Sequence, residues 1–181
     1  MTSSKQAYAP PENLLRTYGG PTVVVAAVVG WMVFVVARPA PAAPEAVIGP
    51  MLGMFWVTAV VWLAMVLARN VAVVRGAASV RYYADYHSDV PDERIERPAR
   101  TFNNLMQVPT LFYVVCLLML VTRKTDAAQV WLAWTFVAFR AAHALVYVLV
   151  NAVPYRFAVW TASFLALAVL WYRFGALAAF G

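Results

Sequence analysis

Arg97-Pro98-Ala99-Arg100-Thr101-Phe102-Asn103-Asn104-Leu105-Met106-Gln107 leads into a stretch, residues 102–121, that is apolar enough to cross a bilayer. Arg100, Asn104 and Gln107 stand at i, i+4 and i+7, so the spacing predicts that all three project from one helix face. A guanidinium and two amides at the mouth of a membrane helix are costly there. Such groups face a bundle interior or a wet cavity, and they mark a candidate site.

Composition makes the setting a membrane. Of the 181 residues, 64% are apolar, against about 45–50% in an ordinary soluble domain. Five apolar stretches stand out, at residues 22–37, 47–68, 102–121, 127–150 and 157–180. A spanning helix needs about 20 residues, which the last four supply and the first approaches. Gly20-Pro21 is expected to open the first stretch and Arg38-Pro39 to close it, because proline interrupts helices. The Pro/Ala run from Pro39 to Pro44 reads as a short, stiff connector. Small residues after an apolar core also suit a signal peptide, but the long polar leader favours a retained helix. The fold class expected is all-α integral membrane, with five transmembrane helices. Residues 1–45 carry the first helix and the connector, and residues 46–181 a four-helix bundle.

The net charge is +6. The cations are scattered at the ends of apolar runs, with no basic patch interleaved with exposed aromatics. That pattern serves membrane topology and speaks against nucleic acid. Placing the N-terminus in the cytoplasm puts nine basic residues on that side, among them Arg69, Arg75, Arg100 and Arg156. Four, Arg38, Arg123, Lys124 and Arg173, fall on the other side. The positive-inside bias therefore favours a cytoplasmic N-terminus. Tyr82, Tyr83 and Tyr86, in the charged loop before Arg97, suit a headgroup-level aromatic belt. Arginine in place of lysine, with much alanine and valine, fits a GC-rich bacterium and hence a bacterial inner membrane. Cys116 is the lone cysteine and the two histidines, His87 and His143, lie far apart. An internal disulfide is excluded, and no metal site is expected.

Three further polar clusters interrupt the apolar runs. Arg140, His143 and Tyr147 sit at offsets of 0, 3 and 7, again one helix stripe. Each alone has a structural reading; together, three costly groups on one face point to a site. Asn151-Ala-Val-Pro-Tyr-Arg156 forms a short turn into the last helix, where Arg156 is either an anchor or a ligand contact. Arg69, Asn70 and Arg75 close the second stretch. Anchoring explains them, and Arg75 is kept as a candidate binding residue. No nucleophile, metal set or phosphate-cradling glycine loop accompanies these clusters. Guanidinium groups recognise carboxylates bidentately, and an adjacent cation stabilises a thiolate. Glutathione, a tripeptide thiol with two carboxylates, meets both demands.

At these residues the chain resembles the membrane-associated proteins in eicosanoid and glutathione metabolism, the MAPEG family. Glu96-Arg97-x-x-Arg100-x-x-x-Asn104-x-x-Gln107, then Pro109 and Phe112, is similar to the signature opening the family's second helix. Arg140-x-x-His143-x-x-x-Tyr147, then Arg156 after a short turn, resembles its third and fourth helices. The similarity covers about residues 49–181. It implies a four-helix bundle assembled as a homotrimer, with glutathione between adjacent subunits near the cytoplasmic face. By that resemblance, Arg100, Asn104, Arg140, Tyr147 and Arg156 contact glutathione, and Arg156 is the catalytic candidate that holds the thiolate. Gln107, at the family's glutamate position, and His143 and Arg75, from the clusters themselves, are further candidate binding residues. The activity implied is a membrane transferase or peroxidase acting on lipophilic electrophiles.

Three positions depart from the pattern. Gln107 stands where the family commonly has a glutamate paired with the ligand's amino group. Trp160 lies where some family enzymes carry a tyrosine near the thiol. The helix at residues 22–37 precedes the family's first helix. These departures suit a second reading, a non-catalytic structural or accessory subunit of a larger membrane complex. A transporter fits less well, because the polar groups gather near one membrane face.

Overall fold

The computed structural model describes residues 13–180. Seven α-helices follow in chain order: α1 (Leu14–Val36), α2 (Ile48–Val74), α3 (Val80–Asp85), α4 (Glu93–Leu105), α5 (Val108–Thr122), α6 (Ala127–Leu145) and α7 (Val153–Phe180). Among them lie five spans long and apolar enough to cross a bilayer: Arg16–Val36, Pro44–Val74, Glu93–Thr122, Ala127–Val150 and Val153–Phe180. The protein is an integral membrane protein, all-α among the described residues.

The first span starts earlier than Gly20-Pro21 suggested. Asn13 caps α1, its side chain accepting from the Arg16 amide at 3.0 Å, and Pro21 sits inside the helix. A proline there removes one donor, the one that would serve the Thr17 carbonyl, and the helix continues past it. The third span is two helices. Pro109 brings no N–H to the Leu105 carbonyl, so the ladder breaks between Leu105 and Val108. Gln107 occupies that break, at φ −93° and ψ −78°. The expected single face through Arg100, Asn104 and Gln107 is therefore interrupted before its last member.

Helix association in lipid depends on close packing more than on expulsion of water. α7 accordingly buries Ala158, Ala162 and Ala166, one per turn, where it packs against α6 and α1. Phe112 of α5 stacks on Phe136 of α6 with centroids 4.7 Å apart, beside fully buried Met54 and Met119. Gly53 of α2 lets the Trp134 ring pass close, since a Cβ there would lie 3.0 Å from its Cζ3. α1 joins the bundle against α7 and α6. The Trp31 indole donates to the Thr135 hydroxyl at 3.0 Å, and Val28 and Met32 enter the core.

One end of the bundle is locked around Asp126. Its carboxylate accepts the Gln129 amide at 2.9 Å in a capping box and pairs with Arg173 at 2.6 Å. The Ala127 amide donates to the Ala40 carbonyl at 2.8 Å, which ties the Pro/Ala connector to the same corner. The opposite end carries the polar residues.

Candidate functional site

At that opposite end, α6 loosens into a π-turn, Val146–Val150, closed by Asn151 in the left-handed region at φ 55°. Asparagine tolerates that conformation better than most residues. The turn reverses the chain so that α7 starts beside the end of α6. The Asn151 Nδ2 donates to Glu93 Oε1 at 2.8 Å, while its Oδ1 accepts from Arg156 Nη1 at 2.6 Å. The Arg156 guanidinium carbon stands 4.2 Å above the Tyr147 ring centroid. The His143 ring meets the same tyrosine edge-on at 6.0 Å.

These groups border a cleft of about 430 Å³ lined by Arg100, Asn104, His143, Tyr147, Val153, Arg156, Phe157 and Trp160. Small-molecule sites run from roughly 300 to 1,000 Å³, so the cleft suits a compact ligand. Five sequence candidates from three helices and a turn thus share one wall. Arg140 lies behind it, fully buried, with Nη2 donating at 2.8 Å to both the backbone oxygen and the Oδ1 of Asn104. Its Nε and Nη1, and the Nδ1 of His143, are buried without a partner among the described residues. Buried orphan donors are rare in native proteins and call for an explanation such as a bound group.

Gln107 and Arg75 do not join this wall. Gln107 is exposed at the break between α4 and α5, and Arg75 is exposed at the end of α2. Phe157 and Val153 were missed by sequence reading. They lie 3 and 7 residues before Trp160, at helical spacing, and counting back along α7 from Trp160 finds both.

The cleft's charge is one-sided. The ion pairs among the described residues are Arg69–Glu96 at 3.3 Å, Arg97–Glu93 at 3.5 Å and Arg173–Asp126 at 2.6 Å. Arg100, Arg140 and Arg156 pair with no carboxylate in that set. Two cations on the cleft wall, Arg100 and Arg156, with Arg140 buried behind it and no carboxylate paired to any of them in that set, make a receptor for an anion.

On the far side of Arg100 lies a second polar cavity of about 440 Å³, bordered by Arg69, Tyr82, Tyr86, Glu96 and Asn103. The Arg69–Glu96 pair and the Arg69 guanidinium above the Tyr83 ring, at 5.0 Å, hold α2, α3 and α4 together there. Burial first, and the Glu96 carboxylate second, raise the Tyr82 and Tyr83 phenols above their usual value. Both tyrosines stay neutral at physiological pH. Arg69 is thus a structural partner of Glu96, and Asn70 bonds back to the Val66 carbonyl of its own helix at 2.8 Å.

No curated protein and no solved structure matches the chain. The model of the MAPEG family matches residues 53–176, which include every residue lining the cleft. The chain belongs to the MAPEG family.

Proposed function

We propose that this protein is a glutathione-dependent transferase or peroxidase acting on lipophilic electrophiles at the cytoplasmic face of a bacterial inner membrane. The observation that carries the reading is a cleft bearing Arg100 and Arg156, backed by buried Arg140, with no carboxylate partner among the described residues. Glutathione supplies two carboxylates and a thiol to such a site. Arg100 and Asn104 take carboxylate and amide groups of the tripeptide, and Arg156 holds the sulfur as thiolate. Arg140 acts through Asn104, fixing its side chain and backbone at once. His143 and Tyr147 complete the wall, and Tyr147 supports the Arg156 guanidinium from below.

Catalysis in this reading is positioning plus electrostatic stabilisation of sulfur. With a chlorinated aromatic, the thiolate forms a C–S bond and chloride leaves. The protein assembles as a homotrimer, and Gln107, exposed on one chain, contacts glutathione across the subunit boundary. Arg75 takes part only from such a neighbouring position.

Two measurements on detergent-purified protein test this. Calorimetry at millimolar glutathione is expected to show binding; none removes the proposal. Turnover of 1-chloro-2,4-dinitrobenzene is expected to fall in Arg156→Ala; a rate equal to wild type removes the thiolate role.

A second reading, an accessory subunit, draws on α2. Phe55, Trp56 and Trp62 are exposed on it and offer a surface to partner helices. Stoichiometric co-purification of another membrane protein, together with no glutathione binding, would select this reading.

A further inference from the structure

α1 lies outside residues 53–176, yet it builds a cavity beside the polar cleft. A groove of about 1010 Å³ runs between the first turns of α1 and α7. Tyr18, Pro21 and Val25 form one wall; Val153, Phe157 and Thr161 form the other. Val153 and Phe157 also line the cleft, so the two spaces share a partition.

The groove is lined by apolar side chains apart from its threonines and Tyr18. Thr17 and Thr22 return their hydroxyls to carbonyls of their own helix, at 3.1 and 2.8 Å. Thr58, Thr101, Thr110, Thr122 and Thr135 do likewise, as helical threonines commonly do. Thr161 does not. Its hydroxyl is enclosed without a partner among the described residues, in a residue that lines the groove. Close approach at Gly20, where a Cβ would lie 2.5 Å from the Tyr155 phenol oxygen, brings α1 against the start of α7.

We infer that this groove is the acceptor site. It takes the apolar tail of an elongated lipophilic electrophile and delivers the reactive end past Phe157 to the sulfur beside Arg156. The inference rests on the glutathione-dependent reading. The shared partition sets the occupant's chemistry. One end must be long and apolar, and the other must tolerate a cationic, polar cleft. An α,β-unsaturated aldehyde with a hydrocarbon tail has that form. The thiolate bonds to C3, the π pair passes to C2, and C2 takes a proton from water; nothing leaves and no oxidant is needed. α1 is then a specificity element added to the family bundle.

The test uses the full chain in phosphatidylcholine nanodiscs, with trans-2-nonenal carrying a diazirine at its tail. Photolabelling is expected on peptides spanning residues 17–26 and 153–161, displaced by unlabelled trans-2-nonenal. Ala26→Phe, a change at an exposed position on the groove wall outside the cleft, is expected to abolish that labelling. It should also raise the KM for trans-2-nonenal about ten-fold, leaving the KM for trans-2-butenal and glutathione affinity unchanged. Labelling spread over all lipid-facing helices, or undisplaced by competitor, means that a bilayer acyl chain fills the groove and overturns the inference. Glutathione binding without groove labelling sinks the groove alone. Groove labelling without glutathione binding sinks the glutathione reading and leaves the occupant supported.

Discussion

Asn151 Oδ1 accepts a 2.6 Å hydrogen bond from Arg156 Nη1, and the same asparagine ends the π-turn in a left-handed conformation at φ 55°. One residue thus both reverses the chain and aims a cation into the cleft. Asn151→Gly keeps the backbone conformation open and deletes the side chain. The expected outcome is a folded protein whose glutathione KM rises about ten-fold, in line with loss of a charge-assisted bond of roughly 1.5 kcal/mol. Steady-state kinetics beside a thermal melt check it; an unchanged KM would show that Arg156 orients itself.

Arg140 and Asn104 should respond in opposite senses. Arg140→Met replaces a buried cation that no carboxylate offsets by an apolar chain, which removes the cost of keeping that charge out of water. Its Tm is expected to hold or rise while glutathione affinity drops, because Asn104 loses both contacts. Asn104→Ala leaves Arg140 buried with only the backbone acceptor, and about 1.5–3 kcal/mol of stability is expected to go with the lost bond. Melting curves of both variants in one detergent decide the matter.

Trp160 lines the cleft, stacked on Phe157 with centroids 6.4 Å apart. A ligand entering there displaces water from the indole. Glutathione titration is expected to shift tryptophan emission, and Trp160→Phe to remove that shift while calorimetric binding persists. A shift that survives in Trp160→Phe would place the ligand elsewhere.

The Asp126 lock lies at the other end of α6 from the cleft. Seventeen residues separate Asp126 from His143, about 25 Å along a helix. Asp126→Ala removes the cap, worth about 1 kcal/mol, and also leaves Arg173 without its carboxylate. Asp126→Asn retains a capping side chain and isolates the ion pair. Both are expected to lower Tm, alanine more than asparagine, with glutathione affinity unaltered in each. Equal melting points for the two variants would assign the whole effect to the Arg173 pair.

Much of the architecture was legible from residue order. Five spans follow from the length of the apolar runs, since a bilayer demands an uninterrupted helix of about twenty residues. The element ends were less legible. Gly20-Pro21 looked like a start, yet Asn13 supplied the cap upstream. Helical offsets placed Arg140 and His143 three residues apart on α6, whereas Tyr147 falls in the π-turn beyond it, where the 3.6-residue repeat no longer applies. The same arithmetic failed at Gln107, where Pro109 removes a backbone donor and the period no longer holds.

By itself, then, the sequence determined that this chain is a helical membrane protein with its costly polar groups at one end, because apolar run length and residue polarity are local properties. Only the tertiary structure decided which of those groups meet. Arg100, Asn104, His143, Tyr147 and Arg156 come from segments up to 56 residues apart, and their convergence depends on how α4, α6 and α7 pack. It likewise put Arg140 behind Asn104 and Gln107 outside the cleft. No spacing rule contains those relations, since they arise between helices and not along one.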